Sequence, residues 1–186
     1  SSGASAGATI AIVVGFGAVV GGLNITMLLA FLGAVLTVLL VYNIARVGNR
    51  VTTLGLILAG IAVGLFLSSV VSMLMFFNRD DIEKIVMWTM GSVSAATWNK
   101  VAILTPVVVV GSIVIWAYAR DLNAMSIGDE TAKSLGIEVE RVKKILLTVS
   151  SLIVACCVST SGVIGFVGLI VPHTIRLIAG SDQRAL

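Results

Sequence analysis

The chain has 186 residues, 58% of them hydrophobic and 11% charged, with a formal net charge of +3. A soluble domain carries about 25% charged residues, and the mean hydropathy here is +1.12, so an ordinary soluble domain is excluded. In a membrane chain a small basic excess reads as the positive-inside rule, not as a nucleic-acid surface, and no nucleic-acid partner is expected.

The charges are clustered. Residues 1–45, 51–78, 101–119 and 145–175 contain none. A bilayer span takes roughly 20 apolar residues, and the chain divides into six, at 4–20, 25–45, 52–76, 101–118, 145–158 and 166–178. The sequence GGLN at 21–24 separates the first two, and RVGNR at 46–50 is a polar turn before the third. Residues 78–100 form a polar stretch before the fourth. The Gly-rich STSGVIG at 159–165 divides a run too long for one ordinary helix. The fold class expected is all-α: a polytopic membrane helix bundle of about six transmembrane helices, forming one transmembrane domain over 1–186. No basic segment of the kind that opens a signal peptide precedes the first span. With no initiator methionine, the chain reads as part of a longer one.

Six spans put both ends on one side. That side holds Arg46, Arg50, Arg120, Lys133, Arg141, Lys143, Lys144, Arg176 and Arg184, against Arg79, Lys84 and Lys100 on the other. The positive-inside rule then makes both ends cytoplasmic and turns 78–100 outward. Gly3 with Gly7, and Gly60 with Gly64, have the G-x-x-x-G spacing that lets helix backbones approach in lipid. Tight packing within one subunit is one reading, and a dimer seam is the other.

The chemistry is sparse. No Asp, Glu, Lys or Arg lies in mid-span, where a proton- or ion-coupled carrier would place one. There is no Gly-Lys dipeptide and hence no phosphate-binding P-loop, so ATP, if it drives this protein, is bound by another chain. His173 is the only histidine, in VPHTIRL, and makes no metal site alone. Cys156 and Cys157 are adjacent and read as small buried hydrophobes. No catalytic residue, metal ligand or cofactor is expected.

The longest charge-rich passage is MSIGDETAKSLGIEVERVKK at 125–144. Ser126 with Asp129 has capping-box spacing, Asp129 and Glu130 suit a first helical turn, and Gly136 suits a stop. The pattern predicts a helix over 127–135 with Ile127, Thr131 and Leu135 on one face. A helix below about 12 residues is marginal alone and needs a surface to lie on. A second helix follows from IEVERVKK, with Glu140 and Lys144 at pairing distance in sequence. A solvated linker is the competing reading.

GDETAKSLGI at 128–137 resembles the cytoplasmic coupling segment of permeases of the ABC importer family for iron-siderophores, haem and cobalamin. SSGASAGA (1–8), LILAGIAVG (56–64), MWTMGSVSAATW (87–98) and SGVIGFVGLIVPHTIRLIAGSDQRAL (161–186) are similar to further segments of that family, in the same order. Such permeases usually have about ten spans, and the likeness runs from the third to the eighth. The resemblance implies a transport subunit, not an enzyme. It acts as a homo- or heterodimer of permeases in the bacterial inner membrane, among lipid, with a cytoplasmic ATPase and an extracytoplasmic binding protein. Gly128, Asp129, Glu130, Ala132, Ser134, Leu135 and Gly136 would couple to the ATPase. Ser1, Ser2, Ser5, Thr52 and Thr53 match positions near the family's cytoplasmic gate. Trp88, Gly91 and Trp98 would shape the outer vestibule, and Arg79, Lys84 and Lys100 would face the binding protein. Two other classes fit the composition: a secondary carrier or channel without an ATPase, and a membrane assembly subunit that transports nothing.

Overall fold

The structure is a computed structural model and describes residues 1–15, 19–20, 23–47, 50–94, 96–165 and 167–179. Among these the chain is helical: α1 Ser2–Val13, α2 Ile25–Ala45, α3 Thr53–Phe77, α4 Ile82–Met90, α5 Trp98–Ala117, α6 Ala119–Ile127, α7 Asp129–Ser134, α8 Val139–Ser161 and α9 Val167–Ala179. A 3-10 turn, Arg79–Asp81, precedes α4. Two short antiparallel pairings join residues: β1 Val19–Val20 with β2 Leu23–Asn24, and β3 Arg46–Val47 with β4 Arg50–Val51. The glycines of the first expected turn, Gly21 and Gly22, lie outside the described residues, as do Gly48 and Asn49 of the second and Arg184 of the carboxy-terminal match.

Helices α2, α3, α5 and α8 are long and apolar enough to cross a membrane, which makes this a multi-pass membrane protein. One expected span is shorter than predicted: α1 has 12 residues, whereas α9 has the 13 expected of the last span. These lengths are about 18 to 20 Å at 1.5 Å per residue, against a hydrocarbon core of about 30 Å. The span expected at 145–158 is longer than predicted. Helix α8 starts at Val139 and runs 23 residues, because Val139 and Val142 are buried and carry the charged segment straight into the apolar one. The polar stretch 78–100 contains α4, a helix of nine residues that was not expected there.

The chain forms two compact units, residues 1–104 with 154–164, and 105–153 with 165–186. In the first, α1 lies against α2 through small residues. Gly3 faces Gly33 and Thr37, and Gly7 faces Leu29 and Ala30. A Cβ on Gly3 would lie 2.5 Å from the Gly33 carbonyl oxygen, and one on Gly7 would strike the Leu29 carbonyl. Lipid gives apolar side chains no reason to leave it, so helices associate there by close backbone packing. The core follows that logic. Ala4, Ala8, Ala30, Ala34 and Ala155 form one cluster, and Ala6, Val71 and Ile85 another, while Leu36, Leu54, Phe66 and Phe77 stay exposed. Of the two glycine pairs, Gly3 and Gly7 pack within the chain, and Gly60 has nothing within 4 Å of an added Cβ. On α3, the hydroxyls of Ser69 and Ser72 donate to the carbonyls of Leu65 and Ser68, which satisfies them without water.

In the second unit, α5 and α8 meet at Gly111, where an added Cβ would lie 2.5 Å from Ile153 Cδ1. Beside this contact runs an apolar groove of about 360 Å³ between Pro106, Val110, Val114, Val149 and Leu152. Pro106 stands inside α5, where a membrane helix tolerates the missing N–H better than a soluble one.

Candidate functional site

The segment expected to dock on a partner is built differently from its prediction. Ser126 does not cap a helix. It lies inside α6, and its hydroxyl donates to the Asn123 carbonyl at 2.7 Å. Gly128 then breaks the helix, with φ +150° and ψ +145°, a conformation open mainly to glycine. Helix α7 therefore has six residues, not nine, and Gly128 occupies its N-cap position. Ile127 and Leu135 consequently sit on different elements, although both are exposed, at 75% and 67%. Thr131 and Leu135 share one turn through the Leu135 amide donating to the Thr131 carbonyl.

The stop falls where the sequence placed it. Gly136 has φ +83°. Its amide donates to the Lys133 carbonyl at 2.9 Å, and the Ile137 amide donates to the Ala132 carbonyl at 3.1 Å. Those are the two bonds of a Schellman cap. Asp129 and Glu130 occupy the first turn of α7, where the helix dipole favours them. Ala132 is fully buried. The ion pairs also differ from expectation: Asp129 pairs with Lys143 of α8 at 2.5 Å, Glu130 with Lys133 at 2.7 Å, and Glu138 with Arg141 at 3.5 Å. The Asp129–Lys143 pair ties the short helix to the start of α8, a link that fourteen residues of separation hid from a search at helical spacing. The result is a six-residue helix with one side anchored and Thr131, Ser134 and Leu135 presented outward.

The polar residues of the first unit gather at the far end of α4. Lys84, Trp88 and Lys100 line one pocket of about 380 Å³ with Asn24, Thr26, Met27, Ser92 and Ser159, Thr160, Ser161 and Gly162. Asp81 accepts a hydrogen bond from Lys84 at 2.7 Å and, through that bond first and its charge second, raises the ammonium's pKa above its ordinary value. Gly91 closes α4 at φ +67° and meets Gly162, which follows α8 at φ +74°. A Cβ on Gly91 would lie 2.5 Å from the Val163 carbonyl oxygen, and one on Gly162 would lie 2.8 Å from Gly91 Cα. The Ser92 amide donates to the Ser161 carbonyl at 2.8 Å across the same junction. Two of the expected residues stand apart from this pocket. Arg79 lies over the Phe76 ring, 5.7 Å from its centroid, and Trp98 is 88% exposed. The contributions of Thr26 and Gly162 were not foreseen, and the glycine in STSGVIG was the one signal for them.

The residues expected near a gate do not form one cluster. Ser2 Oγ lies 3.7 Å from the position of a Cβ on Gly64, whereas Thr52 caps the start of α3 by accepting from the Gly55 amide at 3.1 Å. Eleven residues of α3 separate Thr53 from Gly64, about 16 Å along the axis. Ser5 is engaged locally, its hydroxyl donating to the Ser1 carbonyl at 3.3 Å.

Membrane-length helices packed through glycine and alanine, carrying one short polar helix with a Schellman stop, define a polytopic membrane domain. The chain belongs to the FecCD transport family, whose profile matches residues 1–186. It is 42% identical over 186 residues to the cobalamin import system permease protein BtuC of Halobacterium salinarum, covering all of this chain and 49% of that protein. It is 34% identical over 158 residues to the hemin transport system permease protein HmuU of Yersinia pestis, covering 84% of this chain and 47% of that protein. A solved structure of a metal-chelate type ABC transporter in an inward-facing conformation aligns at TM-score 0.82 and 30% identity, covering 99% of this chain and 57% of that one. The chain thus spans about half the length of the curated relatives it matches.

Proposed function

We propose that this chain is the central part of the permease subunit of an ATP-driven importer for an iron-siderophore, haem or cobalamin. The family and the names of its relatives support the cargo class. The observation that carries the reading is the anchored short helix: α7 is held by Lys143 and by its Schellman cap, and Leu135 beside it is exposed. In this reading Gly128 to Gly136 seat in a cytoplasmic ATPase and transmit its closure. Both ends of the chain, the β3–β4 turn and α6–α7 lie in the cytoplasm of the cell membrane, following Arg46, Arg50, Arg120, Lys133 and their neighbours. Helix α4 and its pocket face outward, toward a binding protein that delivers cargo, and a second permease subunit completes the path. Ser1, Ser2, Ser5, Thr52 and Thr53 supply hydroxyls along that path, at two depths. ATP is hydrolysed on the partner chain.

The test is co-purification of the ATPase with variants, together with ligand-stimulated hydrolysis in liposomes. Leu135→Asp buries an unpaired carboxylate on docking, a change costing several kcal/mol at the extreme, and the ATPase should be lost. Lys133→Ala removes an exposed pair with Glu130 worth about 0.3–0.5 kcal/mol and should change nothing. Retention of the ATPase and full coupling in Leu135→Asp would leave the segment a linker.

A further inference from the structure

Helix α7 is a short lever with a glycine joint at each end. Gly128 joins it to α6 at φ +150°, and Gly136 stands in the link to α8 at φ +83°. An added Cβ would meet Thr131 Oγ1 at 3.8 Å on Gly128 and nothing within 4 Å on Gly136, so no neighbour wedges either joint. Six residues are too few to hold a direction unaided. A push delivered at Leu135 would turn α7 about these glycines before it moved a membrane span. One side-chain contact prevents that. Asp129, the first residue of α7, pairs at 2.5 Å with Lys143, on the second turn of α8. The neighbouring pairs do not join two helices: Glu130 with Lys133 lies within α7, and Glu138 with Arg141 at the head of α8. Lys143 is also the most covered of the three cations, with its side chain 25% exposed, against 44% for Lys133 and 74% for Arg141. A covered pair is screened less by salt. Val139 and Val142 are buried beside it and seat this part of α8, which then runs unbroken to Ser161. The pair thus closes a triangle whose sides are α7, the link 135–138 and the start of α8.

We infer that Lys143 is a positioning residue for coupling: its bond to Asp129 passes the movement of α7 directly into α8 and bypasses both glycine joints. This role rests on the reading in which α7 seats in an ATPase. It assigns the push to α8, not to α6 on the other side of Gly128.

The experiment measures cargo imported per ATP hydrolysed, with the permease assembled with its ATPase and binding protein in liposomes and cobalamin and hemin as probes. Amide hydrogen exchange over residues 129–135 is followed in the same variants. Lys143→Gln should quicken that exchange by roughly 1.5- to 5-fold, the range for one partly exposed ion pair, and cargo per ATP should fall by that factor or more while the ATPase still co-purifies. Lys143→Arg keeps the charge, reports on folding and should restore both readouts. Asp129→Asn should match Lys143→Gln, and the double variant should fall no further than either, because all three remove the same pair. Lys133→Ala is the matched control. It removes a pair of similar length from within α7, so it should leave cargo per ATP at the parental level. An equal loss in Lys133→Ala would show that the pairs merely stiffen α7, and would overturn the positioning role. Parental cargo per ATP in Lys143→Gln, or additive losses in the double variant, would overturn it too. These outcomes leave the importer reading intact. A parent protein that recruits no ATPase overturns the importer reading, and this role with it.

Discussion

Gly136 offers a clean way to ask whether the shape of α7, rather than its mere presence, matters. Its φ is +83°, and no heavy atom lies within 4 Å of an added Cβ. A substitution there meets no neighbour, so its cost is backbone conformation alone. An L-residue in the left-handed region costs about 1–2 kcal/mol, with Asn at the low end and a β-branched residue beyond the top. Helix α7 has six residues, far too few to persist unaided, and its cap bonds at 2.9 and 3.1 Å depend on that φ. A loss of 1–2 kcal/mol shifts the balance between capped and frayed forms by roughly 5- to 30-fold. Amide hydrogen exchange over residues 129–137 should therefore quicken in the order Gly136→Asn, Gly136→Ala, Gly136→Val. Hydrolysis should uncouple from transport in the same order while the ATPase stays bound. A Gly136→Val protein that exchanges as slowly as the parent, or an Asn variant as damaged as Val, would refute the conformational argument.

What the sequence disclosed and what it hid follow from the range of the interactions. Spans announce themselves because the bilayer demands long uncharged runs, and α2, α3 and α5 fall within a few residues of their expected limits. Gly136 was legible because a helix stop is a local event. Ser126 misled for the same reason in reverse: its spacing to Asp129 satisfies a local rule, but Gly128 between them takes a conformation that ends α6 first. Lys143 with Asp129, and Gly91 with Gly162, are contacts between segments distant in the chain, and no period in the sequence records them. The two lysines of the α4 pocket were visible as outward charges. That they line one cavity with Trp88 is a product of where α2, α4, α5 and α8 end, which is tertiary information.

Three further outcomes are expected. With the native cysteines replaced, a cysteine at Ser94 should react with an impermeant maleimide in intact cells and one at Ser134 should not; the reverse would invert the proposed orientation. Gly7→Val drives a Cβ into the Leu29 carbonyl of α2, where backbone cannot yield, and should cost about 1–3 kcal/mol as overpacking does, seen as a lower midpoint of thermal unfolding in detergent. The third concerns the gate. Thr53 is exposed at the start of α3, and Ser2 lies beside Gly64 some eleven residues further along it, so the two cannot belong to one ring of hydroxyls. A tryptophan at Ser2 has Gly64 of α3 against it and should disturb helix packing, lowering stability as well as uptake. A tryptophan at Thr53 disturbs no packed neighbour, and it should stop ligand uptake in liposomes while thermal stability and ATPase co-purification stay at the parental level. Normal uptake by Thr53→Trp removes that residue from the path, and a stability loss equal to that of Ser2→Trp would show that α3 starts in a packed environment instead.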